Sequence, residues 1–168
     1  MYKIGIVGSG PEHLMEHDKI QRTAGRIIDH LGCQYGENDV VFGVEAKIGM
    51  GLWAADECIV RDYKYHLFLP YDLDTTYEHW YDEQKDTLKN QYNKAHSLTI
   101  CNQDNAYRPL IDTSRFVVVF WAGNKNSNTC EAIKYALEHN KIVLDGLHGL
   151  QLMTNKDVRK SVKSWKKK

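Results

Sequence analysis

The sequence predicts a Rossmann-like α/β fold, a three-layer sandwich in which helices cover both faces of a mostly parallel central sheet. The first observation behind this prediction is the regular alternation of short apolar segments with longer helical patterns. Strands that alternate with helices are joined by right-handed crossovers, and such crossovers produce a parallel sheet. The predicted strands are 2–7, 39–44, 65–69, 96–101, 116–121 and 141–145. The predicted helices lie near 12–31, 50–61, 75–94, 105–113, 129–139 and 155–166.

The second observation is a strand, a tight loop and a helix start at the amino terminus. The segment from Tyr2 to Val7 is predicted to be a buried strand, and Gly8-Ser9-Gly10-Pro11 is predicted to be a tight loop. The next helix is expected to start at Glu12. Its apolar residues recur on one face, and Gly32 is expected to end it.

The third observation is a similar junction later in the chain. The β-branched run from Phe116 to Phe120 stops at Trp121-Ala122-Gly123, a polar loop follows from Asn124 to Asn128, and a helical pattern starts at Thr129. The free backbone N–H groups and the positive end of the helix dipole meet where such a strand ends. Two such junctions in one short chain predict a ligand with phosphates or several hydroxyls.

The middle of the chain is predicted to hold one long charged helix, which carries Trp80 and Leu88 and is capped at Asp74-Thr75-Thr76. Ligands of such folds bind beyond the carboxyl ends of the strands. Each candidate loop could also have a purely structural role without binding a ligand. For example, Gly51 could allow close helix packing, and Asp72 could be a turn or cap residue. The candidate loops are 8–12, 43–51, 70–74, 101–108, 121–129 and 145–148.

Composition limits the classes of protein to consider. The chain of 168 residues is expected to form a single domain, with a basic helix or tail at about 155–168. The formal net charge is zero, which gives no support to nucleic-acid binding. No apolar segment approaches the ~18 residues of a membrane span, so no membrane partner is expected. The chain passes directly from Met1 into a core strand, so we expect no signal peptide and a cytoplasmic protein.

No metal or cofactor is expected from the cysteines and histidines. The four cysteines lie far apart without a C-x-x-C pair, and we interpret them as reduced, mostly buried thiols. His13 and His17 have a spacing that can bind metal, but no third ligand lies nearby in the sequence, so surface histidines are the preferred interpretation.

Three segments resemble a known family. They are the opening strand with Gly8-Ser9-Gly10, the sequence IGMGLWAADECI (48–59) followed by LFLPYD (67–72), and IDTSRFVVVFWAGNKNSNTCEAIKYALEHNKIVLD (111–145). Together they resemble the SLOG superfamily, the Rossmann-like group that includes DprA and the LOG-type phosphoribohydrolases. The sequence looks most similar to the YpsA-like branch of that superfamily.

The resemblance implies a nucleotide-derived ligand, held by the first loop and by the loop before Thr129. Gly8 and Ser9 match the family's first motif, and the segment from Gly123 to Thr129 matches its glycine-rich loop, with Asn128 in place of a glycine. LOG-type enzymes carry a catalytic glutamate one turn after that threonine, where this chain has Ala132. Arg108 is the candidate counterpart of the family's catalytic arginine.

Two function classes remain open. The preferred one is a sensor or sequestering protein that binds a nucleotide, an ADP-ribose-like molecule or a nucleoside phosphate. The alternative is an N-glycoside hydrolase that releases free base, in which Glu45 and Arg108 are the catalytic candidates and Asp72 or Glu12 could supply the carboxylate in place of Glu45. A weaker third interpretation is an interaction protein whose basic tail contacts nucleic acid. Homodimers or larger homo-oligomers are also expected. The candidate ligand-binding residues are Gly8, Ser9, Gly10, Gly51, Trp53, Asp72, Tyr107, Arg108, Trp121, Gly123, Ser127, Asn128 and Thr129.

Overall fold

The structure, a computed structural model, describes residues 1–159, which contain seven strands, six helices with both ends in that range, and a further helical segment at 155–159. The strands are β1 (Tyr2–Gly8), β2 (Val40–Glu45), β3 (Tyr65–Leu69), β4 (Ser97–Ile100), β5 (Phe116–Phe120), β6 (Ile142–Asp145) and β7 (Gln151–Leu152). The helices are α1 (His17–Tyr35), α2 (Met50–Val60), α3 (Leu73–Thr76), α4 (Asp82–Lys94), α5 (Tyr107–Asp112) and α6 (Asn128–Glu138).

The strands form one sheet in the order β4-β3-β2-β1-β5-β6-β7, and only the β6–β7 pair is antiparallel. One core cluster joins one face of the sheet to α1, α2 and α4, and a second cluster joins the other face to α5 and α6. The predicted Rossmann-like three-layer fold is therefore confirmed. The two central strands, β1 and β5, are those that precede the two predicted anion-binding loops.

The prediction for the first helix is wrong at both ends. Residues 11–13 form a turn, and α1 starts only at His17. Gly32 does not end α1, because it lies inside the helix, where a Cβ atom would collide with the Tyr63 ring. The helix ends at Gly36, whose φ of 92° suits glycine and whose N–H donates to the Gly32 carbonyl.

The single helix predicted for 75–94 is also wrong, because two helices occupy this segment. The carboxylate of Asp72 accepts a hydrogen bond from the Thr75 N–H at 2.9 Å and caps the short α3. α4 starts at Asp82, so Trp80 lies between the two helices. The antiparallel β7 was not predicted, since two residues are too few to show a strand pattern.

Three further predictions concern membrane-spanning helices, the basic tail and the cysteines. Within residues 1–159 no helix is both long and apolar enough to cross a membrane. The predicted basic tail falls only partly in the described range: residues 155–159 are helical, and 160–168 lie outside the described residues. All four cysteines are free; Cys58 and Cys130 are buried and Cys33 is exposed.

Candidate functional site

The candidate site is the crevice between the loops that follow β1 and β5, and we call it the β1–β5 crevice. β1 leads to a helix on one face of the sheet and β5 leads to a helix on the other, so the two loops diverge at this point. Such a switch point is where open α/β sheets bind ligands. The backbone N–H of Ser9 donates to the Phe120 carbonyl at 3.0 Å, which holds the two loops side by side.

A buried hydroxyl without a partner lies in the first loop. Ser9 is 1% exposed, and its Oγ has no hydrogen-bond partner within residues 1–159. Its backbone is firmly held, since its carbonyl accepts from the Met50 N–H at 3.4 Å in addition to the bond of its own N–H. Buried hydroxyls are nearly always hydrogen-bonded, so this side chain is a candidate ligand contact.

The second loop has the same feature. Thr129, in the first turn of α6, is 1% exposed and its Oγ1 also lacks a partner in the described part of the chain. The neighbouring Ser127 differs, because its hydroxyl accepts from the Cys130 N–H at 3.1 Å and donates to the Asn124 carbonyl at 2.7 Å. The Ser127 hydroxyl therefore caps the start of α6, whereas the Thr129 hydroxyl, two residues later, makes no hydrogen bond in the described part of the chain.

A contact between side chains spans the β1–β5 crevice. The Asn124 amide nitrogen lies 3.3 Å from Nδ1 of His13, which links the two loops. Trp121 also shapes the second loop: it is buried, and its indole N–H donates to the Asn124 carbonyl at 3.0 Å. Sequence reasoning assigned His13 to the surface and did not single out Asn124. Their positions just after neighbouring strands are the signal that could have identified this contact.

One ammonium and one carboxyl group lie beside the first loop. The Nζ of Lys47 lies 3.5 Å from the Gly8 carbonyl oxygen. Glu45, at the carboxyl end of β2, is 8% exposed, and burial raises the pKa of its carboxyl group while the charge of Lys47 partly lowers it. Burial, with a smaller contribution from Glu45, raises the pKa of the Cys101 thiol. Lys47 was not among the predicted site residues.

Two cavities flank the crevice loops. One, of about 380 Å³, lies between α1, α2 and α4 and is lined by Pro11, Gly49 and Trp53 among others. Trp53 is half-buried there, with its ring 4.9 Å from that of His17. The other, of about 300 Å³, lies beyond β5 and β6 and is lined by residues that include Gly123 and Asp145. Gly123 has a φ of 90°, and a Cβ atom there would meet nothing within 4 Å.

The structure brings together most of the predicted residues of the two loops. Ser9 and Gly10 follow Gly8, the last residue of β1, in the first loop; Trp121, Gly123 and Ser127 belong to the second loop, and Asn128 and Thr129 form the start of α6. Glu131, one residue before the LOG-type glutamate position, is exposed, and Ala132 is buried.

The remaining candidates lie elsewhere or have structural roles. Arg108 is exposed on α5, with its guanidinium carbon 5.5 Å from the centre of the Tyr135 ring. Tyr107 is 4% exposed, so it offers no open face to a base. Asp72 caps α3, and its hydrogen bonds with Thr75 lower the pKa of its carboxyl group. Gly51 is required for packing, because a Cβ atom there would collide with the Glu45 carbonyl oxygen.

Comparison with known sequences gives no match. No protein-family model matches the chain. No curated protein matches it either.

Comparison with solved structures gives several matches. A molybdenum cofactor binding protein from Rippkaea orientalis has a TM-score of 0.59 at 16% identity, over 86% of this chain and 75% of that one. DprA from Streptococcus pneumoniae has a TM-score of 0.65 at 16% identity; the match covers 98% of this chain but only 56% of DprA. The structural-genomics target TM1055 has a TM-score of 0.61 at 13% identity, over 100% of both chains.

These three proteins share the fold of this chain, and DprA is one of the SLOG members named above. The match to DprA thus shows the same fold as a SLOG member, whereas membership of the SLOG superfamily and of its YpsA-like branch stays a prediction.

Proposed function

We propose that this protein binds a nucleotide or a nucleotide-derived molecule, with a phosphate in the β1–β5 crevice. The observation that carries the proposal is the pair of buried hydroxyls, Ser9 Oγ and Thr129 Oγ1, which lack partners in the described residues. An unsatisfied buried hydroxyl costs about 1–3 kcal/mol of stability. Two such groups, one directly after β1 and one in the first turn of the helix that follows β5, are accounted for if a ligand accepts hydrogen bonds from both.

A phosphate suits these donors better than a neutral group does. Its oxygens accept hydrogen bonds from hydroxyls and from the free N–H groups at the start of α6. The Lys47 ammonium, 3.5 Å from the Gly8 carbonyl oxygen, would add an opposite charge. Arg108 is not part of this arrangement, since its guanidinium lies over Tyr135.

The flanking cavities favour a ligand larger than phosphate. The cavity of about 380 Å³ shares Pro11 with the first loop and contains the Trp53 side chain, on which a base could stack. One protein of the same fold is a molybdenum cofactor binding protein, which supports ligand binding in general. We also propose a cytoplasmic location, where nucleotides are abundant.

The alternative function is hydrolysis of an N-glycosidic bond. The raised pKa of Glu45 favours it, because a protonated carboxyl can act as a general acid toward a departing base. Ala132 at the LOG-type glutamate position opposes it, since the oxocarbenium-like state would lack that carboxylate. Binding without chemistry remains the preferred function.

Isothermal titration calorimetry with AMP, GMP, ribose 5-phosphate and adenosine tests the proposal. We expect both nucleotides and ribose 5-phosphate to bind, and adenosine to bind at least tenfold more weakly than AMP. Binding of adenosine as tightly as AMP, or of none of the four, would contradict a phosphate site. A parallel base-release assay decides the alternative: we expect no adenine or guanine, whereas steady turnover abolished by Glu45→Gln with AMP binding intact would establish the hydrolase.

A further inference from the structure

The cavity of about 380 Å³ between α1, α2 and α4 has an aromatic wall and an acidic lining. Trp53 is half-buried on α2, and its ring centre lies 4.9 Å from that of the His17 ring, with the two planes inclined by 41°. Asp56 and Glu83 also line the cavity, and among residues 1–159 no lysine or arginine does so. The cavity therefore suits an aromatic group that donates hydrogen bonds and does not suit a phosphate.

Asp56 carries a half-buried carboxylate with few partners. In the described part of the chain it forms no salt bridge, and its side chain makes one hydrogen bond, which Oδ1 accepts from Nε2 of Gln91 at 2.8 Å. A carboxylate has about four acceptor positions, so most of those of Asp56 remain free. A partly desolvated carboxylate normally has ionic or hydrogen-bonded partners, and donors of a ligand in the cavity would supply them.

The Gln91 amide fixes the direction of this carboxylate. Gln91 is fully buried on α4, and its Nε2 also donates to the Leu52 carbonyl at 2.9 Å. The reverse orientation of the amide would place its carbonyl oxygen against two acceptors. That oxygen, Oε1, has no partner within residues 1–159. An unpaired buried carbonyl is destabilising, so the amide holds Asp56 in place at a cost to its own hydrogen bonding.

The cavity lies next to the proposed phosphate site. Gly49 lines it and packs against the first loop, where a Cβ atom on Gly49 would lie 2.9 Å from the Ser9 carbonyl oxygen. α2 begins at Met50, whose N–H donates to the same carbonyl at 3.4 Å. Trp53 and Asp56 are three residues apart and share a face of α2, and Asp56 lies about 9 Å along the helix axis from Met50. A mononucleotide is long enough to reach from the first loop to Asp56.

We propose that this cavity binds the base of a guanine nucleotide, with the Asp56 carboxylate accepting hydrogen bonds from N1–H and the exocyclic amino group. The assignment rests on the proposed function, because it places the phosphate of the same nucleotide in the β1–β5 crevice. Guanine presents two adjacent N–H donors on its Watson–Crick edge, and they match the two oxygens of a carboxylate. Adenine and cytosine present a ring nitrogen acceptor beside the amino group, which a carboxylate oxygen repels. Trp53 can stack on any base, so Asp56 supplies the discrimination.

Calorimetry with GMP, IMP, AMP and ribose 5-phosphate tests the assignment. We expect GMP to bind at least about tenfold more tightly than AMP, with IMP between them because it has N1–H but lacks the amino group. Ribose 5-phosphate reports on the phosphate site alone. If ribose 5-phosphate binds and GMP binds no more tightly than AMP, the base assignment is overturned and the proposed function is not. If none of the four binds, the proposed function is overturned and the base assignment with it.

Asp56→Asn should change which base is preferred. Xanthine has a carbonyl in place of the amino group of guanine, and an asparagine amide can donate to that carbonyl while its own oxygen accepts from N1–H. The variant should therefore bind XMP more tightly than GMP, whereas the parent protein should prefer GMP. Its affinity for ribose 5-phosphate should be that of the parent.

The matched control is Asp86→Asn, the same change at an exposed position of α4 that does not line the cavity. It should leave the ratio of GMP to AMP affinity unchanged. Circular dichroism verifies that both variants are folded, and the comparison of nucleotides on the parent protein decides the assignment if Asp56→Asn is not. A folded Asp56→Asn variant that still prefers GMP to XMP, or that loses GMP and ribose 5-phosphate to the same extent, would overturn the assignment.

Discussion

Removing either of the unpaired hydroxyls in the β1–β5 crevice should change stability and ligand binding in opposite directions. Ser9→Ala and Thr129→Val delete a buried hydroxyl that has no partner in the described residues. In the ligand-free protein, each substitution removes a desolvation penalty of about 1–3 kcal/mol. The cost in packing is small, because Ser9→Ala leaves only a small void and Thr129→Val puts a methyl group in place of the hydroxyl. We expect the free energy of unfolding to rise by about 1 kcal/mol.

The same substitutions should weaken nucleotide binding. A hydrogen bond from a hydroxyl to a charged phosphate contributes about 1.5–3 kcal/mol, which corresponds to a loss in affinity of about 10- to 150-fold. Differential scanning fluorimetry of the ligand-free variants should show a melting temperature about 2–4 °C higher than that of the parent protein, given the size of this chain. Calorimetry with AMP should show the loss in affinity.

The matched control is Ser114→Ala. Ser114 is equally buried, but its hydroxyl donates to the Leu110 carbonyl at 2.6 Å, and it lies at the amino end of β5. This substitution should lower the melting temperature and leave AMP affinity unchanged. If Ser9→Ala and Thr129→Val behave like Ser114→Ala, the reasoning that links unpaired hydroxyls to a ligand is refuted.

Three further predictions concern pH and packing. Burial raises the pKa of Glu45, so the folded state favours the protonated carboxyl and the protein loses stability as the pH rises from the ordinary value of ~4.3 through the raised folded-state pKa. Glu45→Gln should therefore gain stability relative to the parent as the pH rises through this range, and a difference in melting temperature that does not change with pH would contradict this. Burial and the charge of Lys3 lower the pKa of His66 to about 4, so NMR should show its ring titrating near pH 4 and not near the ordinary value of ~6.5. Gly51→Ala should destabilise the protein by at least about 2 kcal/mol by urea unfolding, because its Cβ would collide with the Glu45 carbonyl, while Gly43→Ala, with contacts of 3.4 Å or more, should cost clearly less.

The fold could be predicted because the apolar periodicity of this chain is strong. Buried parallel strands such as Phe116–Phe120 read as continuous apolar runs, and their alternation with helices leaves few possible topologies. The errors came from local signals with two interpretations. Gly32 resembled a helix stop but serves close packing against Tyr63, and the polar segment from Asp74 onward resembled one helix although it contains two.

The candidate site was predicted less completely than the fold. The positions of the two loops could be predicted because each follows a buried apolar strand, and ligand binding at these strand ends stays a prediction. Individual side chains could not, because their directions depend on packing that no short motif encodes. Arg108 was a candidate catalytic and ligand-binding residue, but its guanidinium lies over the Tyr135 ring. The contact between His13 and Asn124 joins residues that are 111 positions apart in the sequence.

Two-dimensional ¹H–¹⁵N NMR of the labelled protein during titration with AMP tests the central proposal most directly. We expect saturable shifts that are largest for the backbone amides of Ser9, Gly10 and the segment from Gly123 to Thr129, and that recur with ribose 5-phosphate. Amides at the amino ends of the strands, such as that of Ser114, should not shift. Absence of saturable shifts, or shifts concentrated away from the two loops, would contradict a phosphate site in the β1–β5 crevice.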